Sequence, residues 1–151
     1  MTGEKVWLSR CAAYHPEELL RQVEEAFTAL GVWEEIKPGM KVVLKPNLVM
    51  SSKPGAAIAT HPALVAAVGR CVQKAGGEVL IAESPGGPYT PAAMKAIFRG
   101  CGYTDMAREW AFPCIRNAEA GRSPCPGHGA AASSLWRSPF WSGITSSTCA
   151  S

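Results

Sequence analysis

KVVLKPNL at residues 41–48 and EVLIA at residues 78–82 are short apolar runs, and turn residues bound both of them. Runs of this length and composition are typical of strands that a sheet buries on both faces. Pro46 lacks the N–H group that a central ladder needs, so we expect the first run to end as a strand near Leu44 or Lys45. A more mixed run, KVWLSRCA at residues 5–12, predicts a strand ahead of them.

Helical periodicity fills the intervals between these predicted strands. Pro16, Pro62 and Pro91 each open a segment in which apolar residues recur every three or four positions, and a proline is tolerated at the first position of a helix. Gly31 and Gly76 end the first two segments, and a short helix is predicted at residues 105–110. The order predicts an α/β fold, an alternating βαβαβα arrangement with an incomplete, Rossmann-like parallel sheet. No G-x-G-x-x-G is present, so a classical dinucleotide site is not indicated.

Composition excludes several classes of protein. Of the chain's residues, 47% are hydrophobic and 18% are charged, which is typical of a globular protein. The net charge is +3, and the basic residues are scattered along the sequence, so nucleic-acid binding is not indicated. Residues 1–10 hold no apolar run of the length of a secretory signal, and no stretch approaches a membrane span. We therefore expect a cytoplasmic protein without membrane contact. Six cysteines are present without a C-x-x-C pair, so no metal or cofactor is predicted for this chain.

Polar residues follow the predicted strands at one edge of the sheet. In open parallel sheets, ligands bind beyond the carboxyl ends of the strands. The loops after the second and third predicted strands lie there, together with the start of the helix between them. The candidate ligand-binding residues are Lys45, Asn47, Thr60, His61, Glu83, Ser84, Gly86 and Gly87.

These residue types suit a small molecule or an anion. Lys45 can pair with an anion or with Glu83. Asn47 and Ser84 can orient a ligand, and Gly86 and Gly87 permit close approach to the backbone. Each residue also has a structural alternative. The lysine can be a solvated strand end, the threonine a helix cap, the asparagine and serine turn residues, the histidine an exposed first-turn residue, and the glutamate a partner of a nearby N–H. No nucleophile and base are identified as a pair, so no reaction or catalytic residue is assigned.

Three motifs in register resemble a known family. KPNLV at residues 45–49, THP at 60–62 and ESPGG at 83–87, with Gly102 and Tyr103 beyond them, resemble the domain of unknown function family 362 across about residues 5–110. The resemblance implies an iron–sulfur-associated, redox-linked function, because many members carry a ferredoxin-type module with two 4Fe-4S clusters further along the chain. The ligands of those clusters have no counterpart in this sequence.

The composition changes after Trp110. Residues 111–151 contain eight serines and a single acidic residue, Glu119, and they show neither helical nor strand periodicity. We therefore divide the chain into residues 1–110, the N-terminal part of the β/α domain, and residues 111–151, an irregular, disordered tail. The genetic code suggests a cause. Loss of one G from TGG GGC ATT CC, which encodes Trp-Gly-Ile-Pro, leaves codons for Trp110, Ala111 and Phe112.

We predict that the reading frame changes at this point and that the parent frame continues beyond it. The chain would then be a truncated family member or a non-functional product, prone to self-association through an exposed sheet edge. Nucleotide sequencing across codon 110 tests this directly. We expect the shifted frame to stay open downstream; stop codons there would disprove the frame change.

Overall fold

Five helices and three strands make up the part of the chain that the structure describes. The structure is a computed structural model, and it describes residues 5–83 and 90–115. In chain order the elements are α1 (Pro16–Leu30), α2 (Val32–Glu35), β1 (Lys41–Leu44), α3 (Pro62–Lys74), β2 (Glu78–Ala82), α4 (Pro91–Gly100), α5 (Tyr103–Glu109) and β3 (Cys114–Ile115). None of these helices is long and apolar enough to cross a membrane.

The strands form a small parallel sheet in the order β1-β2-β3. Val42 lies opposite Val79 and Leu44 opposite Ile81, so these four side chains share one face of the sheet. Val79 and Ile81 are buried in the main core. β3 adds a two-residue pairing at the other side of β2, where Ile81 lies opposite Cys114.

Helix α3 covers that face, and α1 packs on α3. Val65 and Val72 of α3 belong to the main core with the strand residues, while Leu19 and Val23 of α1 form a second cluster with Ala67 and Cys71 of α3. An ion pair of 2.8 Å between Lys74 Nζ and Glu24 Oε1 also links the two helices. α1 and α3 are thus neighbours on one side of the sheet.

Most of the predicted elements are confirmed. α1 begins at Pro16 and ends before Gly31, which adopts a φ of 75° that glycine tolerates best. The strand over residues 41–44, the strand over residues 78–82 and the helices that open at Pro62 and Pro91 also form as predicted. The mixed helix and strand class and the parallel pairing are therefore observed.

The strand predicted at residues 5–12 does not form. The segment is exposed and has no ladder partner; instead, Ser9 Oγ donates to Gln22 Oε1 at 2.9 Å, and Gln22 Nε2 donates to the Arg10 carbonyl at 3.0 Å. Val6 and Leu8 expose 88% and 91% of their surface. The mixed sequence offers no continuous apolar face, so side-chain contacts with α1 hold it. The full six-element alternation is consequently not confirmed in the described residues.

Ordered packing continues past Trp110. Phe112 is 4% exposed and lies in the main core, and Cys114–Ile115 pairs with β2. The first residues of the predicted tail therefore take part in the fold, because the sheet edge beside β2 accepts a short strand whatever its periodicity. The rest of that tail, residues 116–151, lies outside the described residues.

Gly69 of α3 tests this packing. An alanine Cβ at this position would lie 2.5 Å from Cζ of Phe112, a distance that real contacts do not reach. Gly→Ala inside a helix ordinarily stabilises by about 0.5–1 kcal/mol, whereas we expect Gly69→Ala to lower the free energy of unfolding by about 1–3 kcal/mol in urea titrations.

The matched control is the same substitution in a Phe112→Ala background, where the added methyl group meets no ring. There, Gly69→Ala should be neutral or stabilising. If Gly69→Ala stabilises the unmodified chain, Phe112 does not pack on α3.

Candidate functional site

The ends of β1 and β2 bring Lys45 and Glu83 together. Each residue directly follows its strand, and parallel strands end at the same edge of a sheet. Lys45 Nζ lies 2.8 Å from Glu83 Oε2. The pair is asymmetric, since the Lys45 side chain is 66% exposed and the Glu83 side chain only 5%. A buried carboxylate is thus balanced by an ammonium group that solvent and ligands can reach.

Glu83 Oε2 is the buried oxygen of this pair. It meets the Lys45 ammonium in the ion pair of 2.8 Å, and it has no hydrogen-bond partner in the described part of the chain. Buried polar atoms are normally hydrogen-bonded, and an exception calls for an explanation. An O–H or N–H group of a bound molecule would satisfy this oxygen.

Thr60 fastens the loop that leaves β1. Thr60 N–H donates to the Asn47 carbonyl at 2.9 Å, and Asn47 N–H donates to Thr60 Oγ1 at 3.0 Å. These reciprocal bonds close the segment between residues 47 and 60 at its base. Asn47 itself is exposed, and the neighbouring Leu48 is fully buried. The backbone after Lys45 is therefore held in place by Thr60.

Tyr103 connects the hydrogen-bonded pair of Thr60 and Asn47 to the core. The Tyr103 side chain is fully buried, and its hydroxyl donates to the Thr60 carbonyl at 3.0 Å. Burial raises the pKa of Tyr103, so the hydroxyl keeps its proton. Gly102, at φ 78°, precedes it in the left-handed region and lets the chain turn into α5. Sequence reasoning did not include Tyr103 among the site residues, although it follows the Gly102 turn signal.

A cavity of about 280 Å³ lies beside Lys45 and Thr60. Apart from these two residues, its walls are apolar side chains of β1, the following loop and α3. They are Val43, Leu44, Pro46, Leu64, Val65 and Val68. The candidate edge thus combines one reachable positive charge with an apolar wall.

His61 caps a helix and lines a different cavity. It is the residue that caps α3, since its Nδ1 accepts from Ala63 N–H at 3.2 Å, and the alternative of Thr60 as the cap is wrong. Its ring stacks on Tyr14 at 3.9 Å, and burial lowers the pKa of His61. It lines a separate cavity of about 370 Å³ with Arg70 and Asp105. The cap contact and the cavity place His61 away from the Lys45 pocket.

Three candidate residues, Ser84, Gly86 and Gly87, lie outside the described residues. Among the sequence candidates that are described, the structure joins Lys45 with Glu83 and Asn47 with Thr60. Lys45 and Thr60 line one cavity.

The described cysteines do not fit an iron–sulfur cluster. Cys11, Cys71, Cys101 and Cys114 are not joined by disulfide bonds, and no three potential metal-ligating side chains gather within residues 5–83 and 90–115. Burial raises the pKa of Cys71 to about 11, which keeps it a thiol rather than a ligating thiolate. A cluster bound by these cysteines would require them to meet, and they do not.

Removing the Tyr103 hydroxyl tests its anchoring role. Tyr103→Phe keeps the ring but leaves the Thr60 carbonyl without this donor, so we expect the free energy of unfolding to fall by about 1 kcal/mol. Tyr14→Phe is the matched control, because Tyr14 is 54% exposed and its stacking on His61 needs no hydroxyl. Urea titration of both variants measures the effect; equal values for the two would contradict the anchoring role.

Comparison with known proteins places the chain in a family. It is 39% identical over 83 residues to the thylakoid-associated protein sll1697 of Synechocystis sp.; the shared region is 54% of this chain and 26% of that relative. No solved structure matches. Residues 42–135, more than half of the 151-residue chain, match the family described as domain of unknown function DUF362, and this match runs 25 residues past Trp110. The chain belongs to the DUF362 family.

Proposed function

We propose that the edge formed by Lys45 and Glu83 binds a small molecule that carries an anionic group. The observation that carries the proposal is the asymmetry of the pair, an exposed ammonium held by a buried carboxylate. The carboxylate fixes the position of the lysine, and the ammonium keeps donors free for a ligand oxygen.

The surroundings suggest the rest of the ligand. The cavity beside Lys45 is mostly apolar, which favours a ligand whose body is less polar than its charged end. Glu83 Oε2, which has the ion pair with Lys45 but no hydrogen bond in the described part of the chain, can accept from a hydroxyl or amine next to the anionic group. Thr60 and Tyr103 hold the loop after Lys45, so the site is formed before binding.

Two broader proposals accompany this one. The first is the redox-linked, iron–sulfur-associated role that the resemblance in sequence motifs implies for longer family members. The region shared with the thylakoid-associated relative is 26% of that relative, so we do not extend a whole-protein role to this chain. The change of reading frame after Trp110 stays a proposal that must accommodate a packed Phe112 and a family match that continues to residue 135.

Phosphate titrations test the binding proposal, with Lys45→Gln, Glu83→Gln and Lys53→Gln compared by calorimetry at low salt. Lys53 is an exposed lysine of the neighbouring loop and is the matched control. We expect Lys45→Gln to weaken phosphate binding about tenfold and Lys53→Gln to leave it unchanged. Glu83→Gln should tighten phosphate binding, because the carboxylate competes with the anion for Lys45.

The same variants also distinguish ligand types. A hydroxylated anion that uses both residues should instead bind Glu83→Gln more weakly than the unmodified chain. Equal weakening by Lys45→Gln and Lys53→Gln would show only general attraction to positive charge and would disprove the site.

A further inference from the structure

β1 has an open edge in the described part of the chain. It is the outer strand of the sheet, and Glu78 N–H donates to the Met40 carbonyl at 2.8 Å. Because successive residues of a strand point their backbone groups to alternate sides, this bond directs Met40, Val42 and Leu44 toward β2. The N–H and C=O of Val43 therefore point away from β2, into the open edge.

The groove beside this edge lies where a further strand of the sheet would lie. It is the apolar part of the 280 Å³ cavity, with β1 as its floor and Leu64, Val65 and Val68 of α3 along its side. A sheet edge with unpaired backbone groups readily accepts another strand. A strand in the groove would cover apolar surface and satisfy Val43 at the same time.

Residues 5–12 lie next to the groove. Trp7, Ser9 and Cys11 line a cavity of about 410 Å³ with Leu19 of α1 and with Leu64 of α3. Leu64 also lines the groove along β1, so the cavity beside the segment and the groove beside the strand edge are neighbours at this residue. The contacts of Ser9 and Arg10 with Gln22 keep the segment under α1.

The direction of the segment suits parallel pairing. Tyr14, just after the segment, stacks on His61 at the start of α3, and α3 starts at the end of the sheet where β1 stops. The segment therefore ends at the carboxyl edge, as a parallel neighbour of β1 must. Since α1 packs beside α3, a strand on the free side of β1 would give its connection through α1 the same hand as β1-α3-β2.

We propose that residues 5–12 close onto the free edge of β1 as an additional parallel strand, a strap that moves across the empty space beside Leu64. As a strand, the segment would divide its mixed side chains between the two faces of the sheet. Trp7 and Ser9 would stay on the side of α1, and Val6 and Leu8 would join Val43 on the opposite face of the sheet. Closure completes the βαβαβα order. It would fill the apolar cavity beside Lys45, so the closed strap and the apolar body of the proposed ligand would exclude one another.

Residue-resolved hydrogen exchange of the full chain tests the closure. In the closed form Val43 N–H is bonded, so it should exchange about tenfold more slowly than in a variant that cannot pair. Leu8→Pro and Ser9→Pro provide such variants, because proline has no N–H to donate. Successive strand residues direct their N–H groups to alternate sides, so one of the two prolines removes an N–H that points toward β1. We expect one of these prolines to remove the protection of Val43.

Leu8→Ala and Ser9→Ala are the matched controls, because they shorten the same side chains and retain the amides. The Ile81 amide of β2 reports whether the sheet stays folded in each variant. Unprotected exchange of Val43 in the unmodified chain would overturn the proposal. Protection that grows with protein concentration would also overturn it, because the strand would then come from a second copy.

Discussion

Thr60 is the residue on which the candidate edge depends. Its N–H and hydroxyl both form hydrogen bonds with the backbone of Asn47, and its carbonyl accepts one from the Tyr103 hydroxyl. One residue thus connects the exit of β1 with the start of α5. The carbonyl contact is formed by a fully buried tyrosine, which places this polar bond against the core. A loop closed at its base in this way loses little further entropy on binding, because its ends are already held.

The charges at the strand ends follow from the same constraint. A carboxylate as buried as that of Glu83 is costly unless a cation accompanies it, and Lys45 supplies that cation from the neighbouring strand. The parallel register of β1 and β2 puts the two residues at one edge, and the Asn47 and Thr60 bonds keep the chain after Lys45 from moving away. The pair therefore combines a structural necessity with an exposed ammonium group, and this combination makes the edge suitable for an anionic ligand.

The open edge of β1 and the segment at residues 5–12 are two parts of one feature. In the described part of the chain β1 has β2 as its one sheet neighbour, and a groove runs between β1 and α3. The segment lines the neighbouring cavity, with Val6 and Leu8 exposed. Closure by the chain's own segment would protect the edge from pairing with other chains.

The sequence by itself determined the elements whose residues carry local signals. Pro16, Gly31 and Pro62 mark helix ends through their own backbone restrictions. The runs at residues 41–44 and 78–82 are short, apolar and bounded by turn residues, which favours strands. It also predicted that Lys45 can pair with Glu83, because strand ends in a parallel sheet converge. Only the tertiary structure decided that Tyr103 holds Thr60, that His61 caps α3 and faces another cavity, and that Phe112 packs on Gly69. These contacts join residues far apart in the chain, and no periodicity or spacing encodes which buried donor meets which carbonyl.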